Sequence, residues 1–582
     1  MSPTPDANSI PPERIADWKY QCGMMIVMLC VGLGAAMTLE TEIESRQSTG
    51  LWIALGLIGI WRWGWGLLHC VRAIIYRYIV YPRWAAAARR AVQAQGGVTD
   101  VVVLATTYRE RSAITRAVIW AVVKEFGQLT GLKRSPRLVF VTGSPEDDVA
   151  VEREFRTAVD SERDAWTING APELVLLRGD CGKRPAIASG LKHIAAMGVD
   201  PDGVVVLMDG DSAPDLGAFA KVLPMFRLDL KVGAVTTNEC AVIEAPMWYT
   251  EWIKLRFGQR HLYMCSVSLS KHLLCLTGRF SVFRADVVTS ERFIEQIESD
   301  NLHNWLFGEY QMFSGDDKSS WYWLSANGYQ TLYVPDAMVT TYEAVNENPF
   351  HRAVANLKRW SGNMLRNSGR AMSLGPQRLG LFPWLCCVDQ KISFWTVLIG
   401  PTGMLLSIWH GRWGITASYV LWLLATRTFR VASAWKHSRR ISLWYIPLQV
   451  ASEWVGAAVK VWVVFHPVKQ TWLNRGNRTL DSSRSVPFAG LRRRLATFYC
   501  CVAVTAFVLS VGAVTQFIPF LHELPLITTK RASLELAVHL EPELLESKLF
   551  FGARPIAEHD ASAVHSLETS AITFRNPQEL NR

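Results

Sequence analysis

The sequence predicts an α/β domain inserted between membrane-spanning helices. Between residues 83 and 350, short runs of Val, Leu and Ile alternate with helical patterns, an order typical of an open and largely parallel sheet. Long apolar runs lie on both sides of this stretch and are typical of helices that cross a bilayer. These runs are 24–39, 51–81, 392–409, 415–425 and 496–521. With 49% hydrophobic residues and 24 Trp among 582 residues, the composition also indicates a membrane protein.

The distribution of charge predicts the side of the membrane on which the central domain lies. The first apolar hairpin turns at the acidic segment 40–44 and returns to the basic segment 83–90. Because basic residues favour the cytosolic side, we expect a cytosolic domain in a multi-pass protein of the inner (plasma) membrane. Segment 441–467 carries Glu453, and a span there would take the basic loop 475–494 to the outer side. We therefore predict five spans, with 441–467 as an interfacial amphipathic helix.

These features divide the chain into eight segments. The predicted segments are a cytosolic tail (1–21), a transmembrane hairpin (22–82), the cytosolic α/β domain (83–350), interfacial helices (351–390), a second transmembrane hairpin (391–426), an interfacial helix with a basic loop (427–495), a last transmembrane helix (496–521) and an acidic tail (522–582). The net negative charge of the last segment suits the outer side of the membrane.

Charge and cysteine usage argue against two other kinds of site. The net charge of +10 would suit a nucleic-acid partner, but the basic residues gather beside the apolar runs, without a recognition-helix or RNA-binding pattern. We therefore expect no nucleic-acid binding. The 11 cysteines include no CxxC pair, so the sequence supports neither a zinc site nor a disulfide framework.

Four short β-branched runs predict parallel strands in the central domain. The runs are 101–107, 137–142, 174–177 and 203–208. In an open α/β sheet the ligand site lies beyond the carboxyl ends of the parallel strands. The polar motifs described next lie at such ends, which predicts an active site at one edge of the sheet.

Two of these motifs suit a bound diphosphate. Asp209 and Asp211 directly follow the fourth run, and two carboxylates one residue apart can hold a Mg²⁺ or Mn²⁺ that neutralises a diphosphate. The alternative is an acidic turn that caps the strand. Lys183 and Arg184 stand at the mouth of a helical pattern over 186–196, where a helix N-terminus with two cations favours phosphate. A solvated turn is the alternative there.

Two further motifs suit the chemistry of transfer. Asp316 and Asp317 precede a helical pattern over 319–326, and one of these carboxylates is suited to act as general base on an acceptor hydroxyl. Helix N-capping by Asp is the alternative. The basic amphipathic stretch 350–370 contains Arg359 and Trp360, which are suited to grip a pyrophosphate or a sugar chain. A helix that merely lies on the membrane surface is the alternative.

Together these motifs resemble those of the processive family-2 glycosyltransferases, the group of the cellulose, hyaluronan, chitin and alginate synthases. That family has a GT-A catalytic domain, a DxD metal motif, a TED or GDD base motif and a QxxRW motif on an interfacial helix. The similar residues here are Asp209 and Asp211, the triplet 315–317, and the pentad 356–360, in which Asn356 replaces the Gln. The resemblance implies an inverting glycosyltransferase in which Asp317 is the catalytic base, with Asp316 beside it.

The same resemblance implies the residues that bind donor and acceptor. Nucleotide-sugar contacts are implied for Tyr108, Glu110, Asp148, Lys183, Arg184, Arg359, Trp360, Trp472 and Arg475. Acceptor or sugar contacts are implied for Thr277, Gly278, Arg279, Lys318 and Trp360. Trp472 and Arg475 are similar to the WxxR element of the loop that gates the nucleotide pocket in this family. The implied cofactor is Mg²⁺ (or Mn²⁺), held by Asp209 and Asp211.

Within the family the chain is most similar to the alginate polymerases, over residues 50–520. The points of likeness include GDDK at 315–318, the run 359–367 and the segment 389–393 before a span. This resemblance implies polymerisation of mannuronate from GDP-mannuronic acid into a β-1,4-linked polyuronate, an alginate precursor, which leaves across the inner membrane. Such a donor needs a cation near its carboxylate, and Lys318 is our candidate. Alternatively, Lys318 sits in the first helical turn or pairs with its neighbour.

Three alternatives stay open. Another polymerase of the same family would make hyaluronan, cellulose or a mixed hexosan from a UDP-sugar. A single-transfer enzyme would add one sugar to a lipid carrier. A non-catalytic scaffold or transporter would have no need of the DxD and GDD carboxylates. By resemblance alone we also expect a cyclic-di-GMP receptor subunit and envelope export proteins as partners, besides the GDP-sugar donor, the polysaccharide acceptor and the membrane.

Overall fold

A computed structural model of the chain describes residues 18–40, 49–167, 170–179, 182–345, 347–434, 442–470 and 487–514. The α-helices are α1 (Trp18–Glu40), α2 (Thr49–Ile75), α3 (Tyr81–Gln95), α4 (Ser112–Gly127), α5 (Pro145–Ser161), α6 (Lys183–Ala196), α7 (Ala218–Val222), α8 (Met247–Ser268), α9 (Ala285–Val288), α10 (Glu291–Glu298), α11 (Asp316–Ala326), α12 (Pro349–Ser373), α13 (Gly375–Leu379), α14 (Leu381–Trp409), α15 (Trp413–Ala434), α16 (Tyr445–Phe465) and α17 (Ala489–Val514). The strands are β1 (Val101–Thr106), β2 (Arg137–Thr142), β3 (Glu173–Arg178), β4 (Val204–Asp209), β5 (Ser212–Pro214), β6 (Val232–Glu244), β7 (Phe280–Arg284), β8 (Asn301–Asn304), β9 (Gly308–Gln311) and β10 (Gln330–Ala344). The predicted acidic tail 522–582 lies outside the described residues.

A mixed eight-stranded sheet forms the centre of the α/β domain, in the order β3-β2-β1-β4-β7-β6-β10-β5. Strands β1 to β4 pair in parallel, as the sequence predicted. The other half of the sheet was not predicted: β7 runs antiparallel between β4 and β6, and β10 pairs in parallel with β6. Six strands therefore point the same way, and their carboxyl ends share one edge. The predicted α/β architecture is confirmed.

The central strands are buried because their side chains are apolar on both faces. Residues 101–105 of β1 are at most 1% exposed, as expected for a parallel strand that has helices on both sides. Helix α6 packs closely on β1 through Gly190, where a Cβ atom would lie 2.4 Å from Cδ1 of Leu104. This close contact fixes the N-terminus of α6 beside the carboxyl end of β1.

Two helices at the site begin earlier than their patterns predicted. Helix α6 begins at Lys183 rather than at residue 186, and α11 begins at Asp316 rather than at residue 319. The residue before α11 is Gly315, with a φ of 92°, a left-handed conformation that favours glycine. The predicted motif residues Lys183 and Asp316 therefore stand in the first turns of helices, not in the preceding loops.

Four helices are long and apolar enough to cross a membrane. Among the described residues they are Gln21–Thr38, Leu381–Trp409, Tyr445–Phe465 and Ala489–Val514. Residues 410–412 separate α14 from α15, as expected for the helical hairpin predicted over 391–426. These helices lie before and after the α/β domain in the chain, so the insertion predicted from the sequence is confirmed.

Helix α16 contains the charged residue on which its prediction as an interfacial helix depended. The sequence predicted an interfacial helix there because Glu453 would be costly inside a bilayer. In the structure Glu453 is held by two cations of α15, Arg427 at its Oε2 and Arg430 at its Oε1, the latter at 2.7 Å. Gln449 also donates to it at 2.8 Å. By length and composition, α16 is a candidate span. The number of spans, and the side of the membrane on which each loop lies, stay predictions.

Candidate active site

The Lys183 ammonium joins three motifs that are far apart in the sequence. Its Nζ lies 2.7 Å from Oδ1 of Asp209 and 3.2 Å from Oδ2 of Asp316. The lysine opens α6, Asp209 closes β4 and Asp316 opens α11. Burial disfavours charge on Lys183, but Asp209 and then Asp316 hold its pKa above the usual value. Lys183 is therefore charged, and the cluster lies at the carboxyl edge of the sheet, where the site was predicted.

Gly278 borders this cluster so closely that a side chain would disturb it. A Cβ atom there would lie 3.1 Å from Nζ of Lys183, 3.7 Å from Oδ2 of Asp316 and 4.0 Å from Oδ2 of Asp209. The predicted acceptor motif therefore meets the predicted metal and base motifs at one point.

The two neighbouring carboxylates of α11 differ in their electrostatic surroundings. Burial would raise the pKa of Asp316, but the charge of Lys183 lowers it below the usual value. Burial also raises the pKa of Asp317, where Lys318 opposes the rise and Asp316 adds to it, and the net shift is upward. The thiol of Cys275 donates to Oδ2 of Asp317 at 3.4 Å. Two carboxylates whose pKa values are pushed apart are suited to different tasks, with Asp317 the better proton acceptor.

Asp211 and Asp209 together offer oxygen ligands for a divalent cation. The Ser212 hydroxyl donates to Oδ1 of Asp211 at 3.0 Å. Burial, followed by the charge of Asp209, raises the pKa of Asp211 to about 6. A divalent cation would relieve this repulsion between like charges. Among the described residues, no group of three His, Cys, Asp or Glu side chains is arranged around one metal position. Two carboxylates suit Mg²⁺ or Mn²⁺ where substrate phosphates complete the coordination.

Glu239 of β6 is a second charge that is shared by two partners, and it contacts residues of the predicted acceptor motif. It is 5% exposed and lies 3.2 Å from Nη1 of Arg279 and 3.4 Å from Nη1 of Arg260. It also accepts a hydrogen bond from the hydroxyl of Thr277. Burial would raise the pKa of Glu239, but Arg260 and then Arg279 keep it below the usual value. No sequence motif pointed to this residue, because it lies in a strand that was not predicted.

The predicted nucleoside-side residues lie around the carboxyl ends of β1 and β2. The ring of Tyr108 packs on Gly143, where a Cβ atom would come within 2.3 Å of the ring. Asp148, in the first turn of α5, pairs with Arg178 at the end of β3. Glu110 lies in the loop between β1 and α4. These residues share the edge of the sheet with the lysine cluster, as predicted, while their contacts with a nucleotide stay a prediction.

Two cations that were predicted to bind ligand instead donate hydrogen bonds to other residues of the protein. Arg184 is 3% exposed, and it donates to the Ile297 carbonyl at 2.9 Å and to Oγ of Ser319 at 2.5 Å. Lys318 donates to the Leu274 carbonyl at 3.0 Å. Neither contact supports the predicted role at the donor, so both roles stay predictions.

The predicted RW motif lies on the amphipathic helix α12. Arg359 donates to Oδ1 of Asn356 at 3.2 Å, and Asn356 in turn donates to the Tyr249 hydroxyl at 3.0 Å. Trp360 stacks on Trp252 of α8, with ring centroids 5.8 Å apart and an interplanar angle of 24°. The residue that replaces the Gln of the QxxRW pattern is 3% exposed and ties α12 to α8.

Comparison with known proteins decides the family. Residues 99–363 match glycosyltransferase like family 2. The chain is 35% identical over 470 residues to the glycosyltransferase alg8 of Pseudomonas syringae pv. tomato, covering 80% of this chain and 92% of that protein. It is 34% identical over 464 residues to the glycosyltransferase alg8 of Azotobacter vinelandii, covering 77% of this chain and 90% of that protein. The chain belongs to the alg8 family of glycosyltransferases.

This membership makes the chain an inverting family-2 glycosyltransferase and confirms the resemblance that the motifs indicated. Among solved structures, the chain is similar to a mannosyltransferase of Pyrobaculum calidifontis in complex with GDP-Man and Mn²⁺. The TM-score is 0.37 and the identity 16%, over 67% of this chain and 97% of that one. That similarity is too low to bear on the substrate or the metal.

The structure of this glycosyltransferase gathers some predicted residues and leaves others apart. It brings together the following residues at one point: Lys183, Asp209, Asp211, Gly278, Arg279, Asp316 and Asp317. Trp472 and Arg475 of the predicted gating loop lie outside the described residues. Cys275 and Glu239 were missed, because neither belongs to a motif.

Proposed function

We propose that this glycosyltransferase transfers mannuronate from GDP-mannuronic acid to the 4-hydroxyl of a growing β-1,4-linked polyuronate. The observation that carries the proposal is the meeting of Asp209, Lys183 and Asp316 at one ammonium, with Asp317 in the adjacent position. That arrangement offers charge for a leaving diphosphate beside a carboxylate that can accept a proton. The relationship to the alg8 glycosyltransferases supports the alginate-type polymer.

Asp317 is the proposed general base. Its raised pKa favours proton uptake from a sugar hydroxyl, because a stronger base takes a larger share of the proton in the transition state. The hydroxyl oxygen then bonds to the anomeric carbon of the donor while the bond from that carbon to the diphosphate breaks. Attack opposite the leaving group inverts the anomeric configuration, and the nucleoside diphosphate leaves with the electron pair.

The leaving diphosphate requires positive charge, which Lys183 and Arg359 are proposed to supply. Asp209 and Asp211 are the residues that would hold Mg²⁺ (or Mn²⁺), and the ion would supply Lewis-acid stabilisation of the diphosphate when bound. GDP should bind more tightly with Mg²⁺ than without it. Equal affinities would contradict the metal role of the two carboxylates.

The remaining assignments follow from the family resemblance. We propose Tyr108, Glu110 and Asp148 on the nucleoside side, and Trp472 and Arg475 in a loop over the pocket. Arg279 and Trp360 would contact the acceptor. The α/β domain would face the cytosol of a cell whose inner membrane holds the helices. A cyclic-di-GMP receptor subunit and envelope export proteins are the partners that the resemblance favours.

The donor can be tested directly with membranes from a cell that expresses the full chain. GDP-mannuronate, UDP-glucose and UDP-glucuronate are supplied side by side, and nucleoside diphosphate release and the mass of the polymer are measured. We expect release from GDP-mannuronate alone and a polymer with uronate repeats. Polymer formed only from a UDP-hexose would instead favour a hyaluronan, cellulose or mixed hexosan synthase, and single additions to lipid would favour a non-processive enzyme.

A further inference from the structure

A buried charge cluster lies directly behind the proposed base. Its centre is Asp300, which is 1% exposed and immediately precedes β8. Oδ1 and Oδ2 of Asp300 accept from Nη1 and Nη2 of Arg370 at 2.6 and 2.7 Å. Oδ2 also accepts from the hydroxyl of Ser319. A two-pronged contact between a carboxylate and a guanidinium restricts both distance and orientation, so it holds its partners more firmly than a single bond.

Arg184 completes the cluster from the opposite side. Its Nη2 lies 2.5 Å from Oγ of Ser319 and 4.0 Å from Oδ2 of Asp300. One buried carboxylate is therefore shared by the buried guanidinium of Arg184 and the half-buried guanidinium of Arg370. Because an unpaired charge in the interior is costly, each of these cations depends on the carboxylate for its position.

The cluster ties together the three helices that carry the proposed chemistry. Arg184 adjoins Lys183 on α6, so consecutive residues of α6 hold α11 at Ser319 and at Asp316. Arg370 lies on α12, the helix of the RW motif, and its guanidinium also lies 4.0 Å above the ring of Tyr322 in α11. The first turn of α11, which carries both catalytic carboxylates, is thus held between α6 and α12.

We propose that Asp300 is a positioning residue that fixes Asp317 relative to the diphosphate side (α6) and the acceptor side (α12) of the site. The inference rests on the function proposed above, because it presupposes that Asp317 acts as the base. Asp300 acts only through Arg370, Arg184 and Ser319. Loss of its charge leaves two cations without their shared acceptor and frees the first turn of α11 to shift. A displacement of about 1 Å at a reacting group can cost on the order of 10²-fold in rate.

The test compares Asp300→Asn with Asp100→Asn in the full-length membrane protein. Asp100 is 0% exposed and pairs with Arg137 at the amino edge of the sheet, so it matches Asp300 in burial and partner but lies away from the site. Release of GDP from GDP-mannuronate is measured per folded enzyme. For Asp300→Asn we expect kcat to fall about 10- to 100-fold while KM for the donor changes by less than about threefold. For Asp100→Asn we expect kcat per folded enzyme to stay at the wild-type value.

A milder variant and a double variant guard against misfolding. Ser319→Ala removes one hydroxyl, and we expect kcat to fall about 2- to 10-fold, as for the loss of one hydrogen bond. The effects of Asp300→Asn and Arg370→Gln should be non-additive, with the double variant no slower than the slower single variant. Multiplicative losses, or wild-type kcat per folded enzyme in Asp300→Asn, would overturn the proposal.

Asp317→Asn, measured in parallel, separates this proposal from the function on which it rests. If Asp317→Asn keeps wild-type turnover, the base assignment fails, and the positioning role fails with it. If Asp317→Asn is inactive while Asp300→Asn turns over normally, only the positioning role is overturned. Loss in both variants, with wild-type kcat in Asp100→Asn, is the result we expect.

Discussion

The two edges of the central sheet use charge in different ways. At the amino edge, cations and anions match one to one, as in Arg137 with Asp100 and Lys133 with Asp200. Around the lysine cluster at the carboxyl edge, two charges each serve two partners of the opposite sign. Lys183 lies between two aspartates, and Glu239 lies between two arginines.

Because of this difference, we expect the matched pairs at the amino edge to contribute to stability and the shared charges at the carboxyl edge to contribute to catalysis. A matched buried pair is satisfied by its own partner, so its main effect is on the free energy of unfolding. A shared charge has more than one arrangement, and an incoming ligand of the right sign can replace one partner at lower cost. At the carboxyl edge, a diphosphate can compete with Asp209 or Asp316 for the ammonium of Lys183. Variants at the two edges should therefore change different measured quantities.

The largest expected effect on turnover belongs to Asp317. Asp317→Asn keeps the size of the side chain but removes the proton acceptor, so we expect turnover to fall by about 10²- to 10⁴-fold with little change in donor affinity. Turnover of the wild-type enzyme should also fall as pH decreases through the raised pKa of Asp317, above the usual aspartate value of about 3.9. Turnover and its pH dependence are measured from the rate of GDP release. Nucleotide affinity is measured by calorimetric titration with GDP. Turnover above about a tenth of wild type in Asp317→Asn would remove the base assignment.

An intermediate effect is expected at Lys183. Lys183→Met keeps the length of the side chain but leaves Asp209 and Asp316 without their shared cation. We expect GDP affinity and turnover to fall together, by about 10- to 100-fold, since a hydrogen bond to a charged group contributes roughly 1.5–3 kcal/mol. Calorimetric titration with GDP, alongside steady-state kinetics, provides the measurement. Lys183→Arg is the matched control, because it keeps the charge and should retain more of the affinity. Unchanged GDP binding in Lys183→Met would show that the ammonium serves the fold alone.

The smallest effect on turnover is expected at the amino edge. Arg137→Met leaves Asp100 buried without its cation, so we expect a loss of about 3–5 kcal/mol in the free energy of unfolding. Turnover per folded enzyme should stay within about twofold of wild type, because no contact of this pair reaches the carboxyl edge. Thermal melting measures the loss of stability, and kinetics normalised to the amount of folded enzyme measure turnover. A large fall in turnover with normal melting would break the contrast between the edges.

The half of the sheet that could be predicted from the sequence is the half built from local apolar patterns. Strands β1 to β4 were predicted within one or two residues, because each contains a short apolar run. Strands β6, β7 and β10 were missed, since their runs mix polar and apolar residues and pair only with distant strands. The motif residues at the carboxyl edge were predicted, because the chemistry requires those residue types close together.

The partners of those motif residues could not be predicted. Arg184 was expected at the diphosphate, yet it reaches Ser319 and the neighbourhood of Asp300. Glu239 and Asp300 stand alone in the sequence, and only the tertiary structure assigns each of them two cations. Likewise, the contact of Glu453 with Arg427 and Arg430 explains how a charge is accommodated in an apolar helix. Pairing between distant side chains is set by packing, which leaves no local pattern.

Gly278 has a practical consequence for anyone who wishes to change the space beside Lys183 without changing its charge. A single methyl group at this position would reach within 3.1 Å of an ammonium that is held on two sides. The backbone there is not in the left-handed region, so alanine adds bulk without twisting the chain. Gly278→Ala would therefore add one methyl group against the end of the Lys183 side chain, which must give way by a few tenths of an ångström. An enzyme with the same charges but less room beside this ammonium would show how much of donor binding depends on the space there.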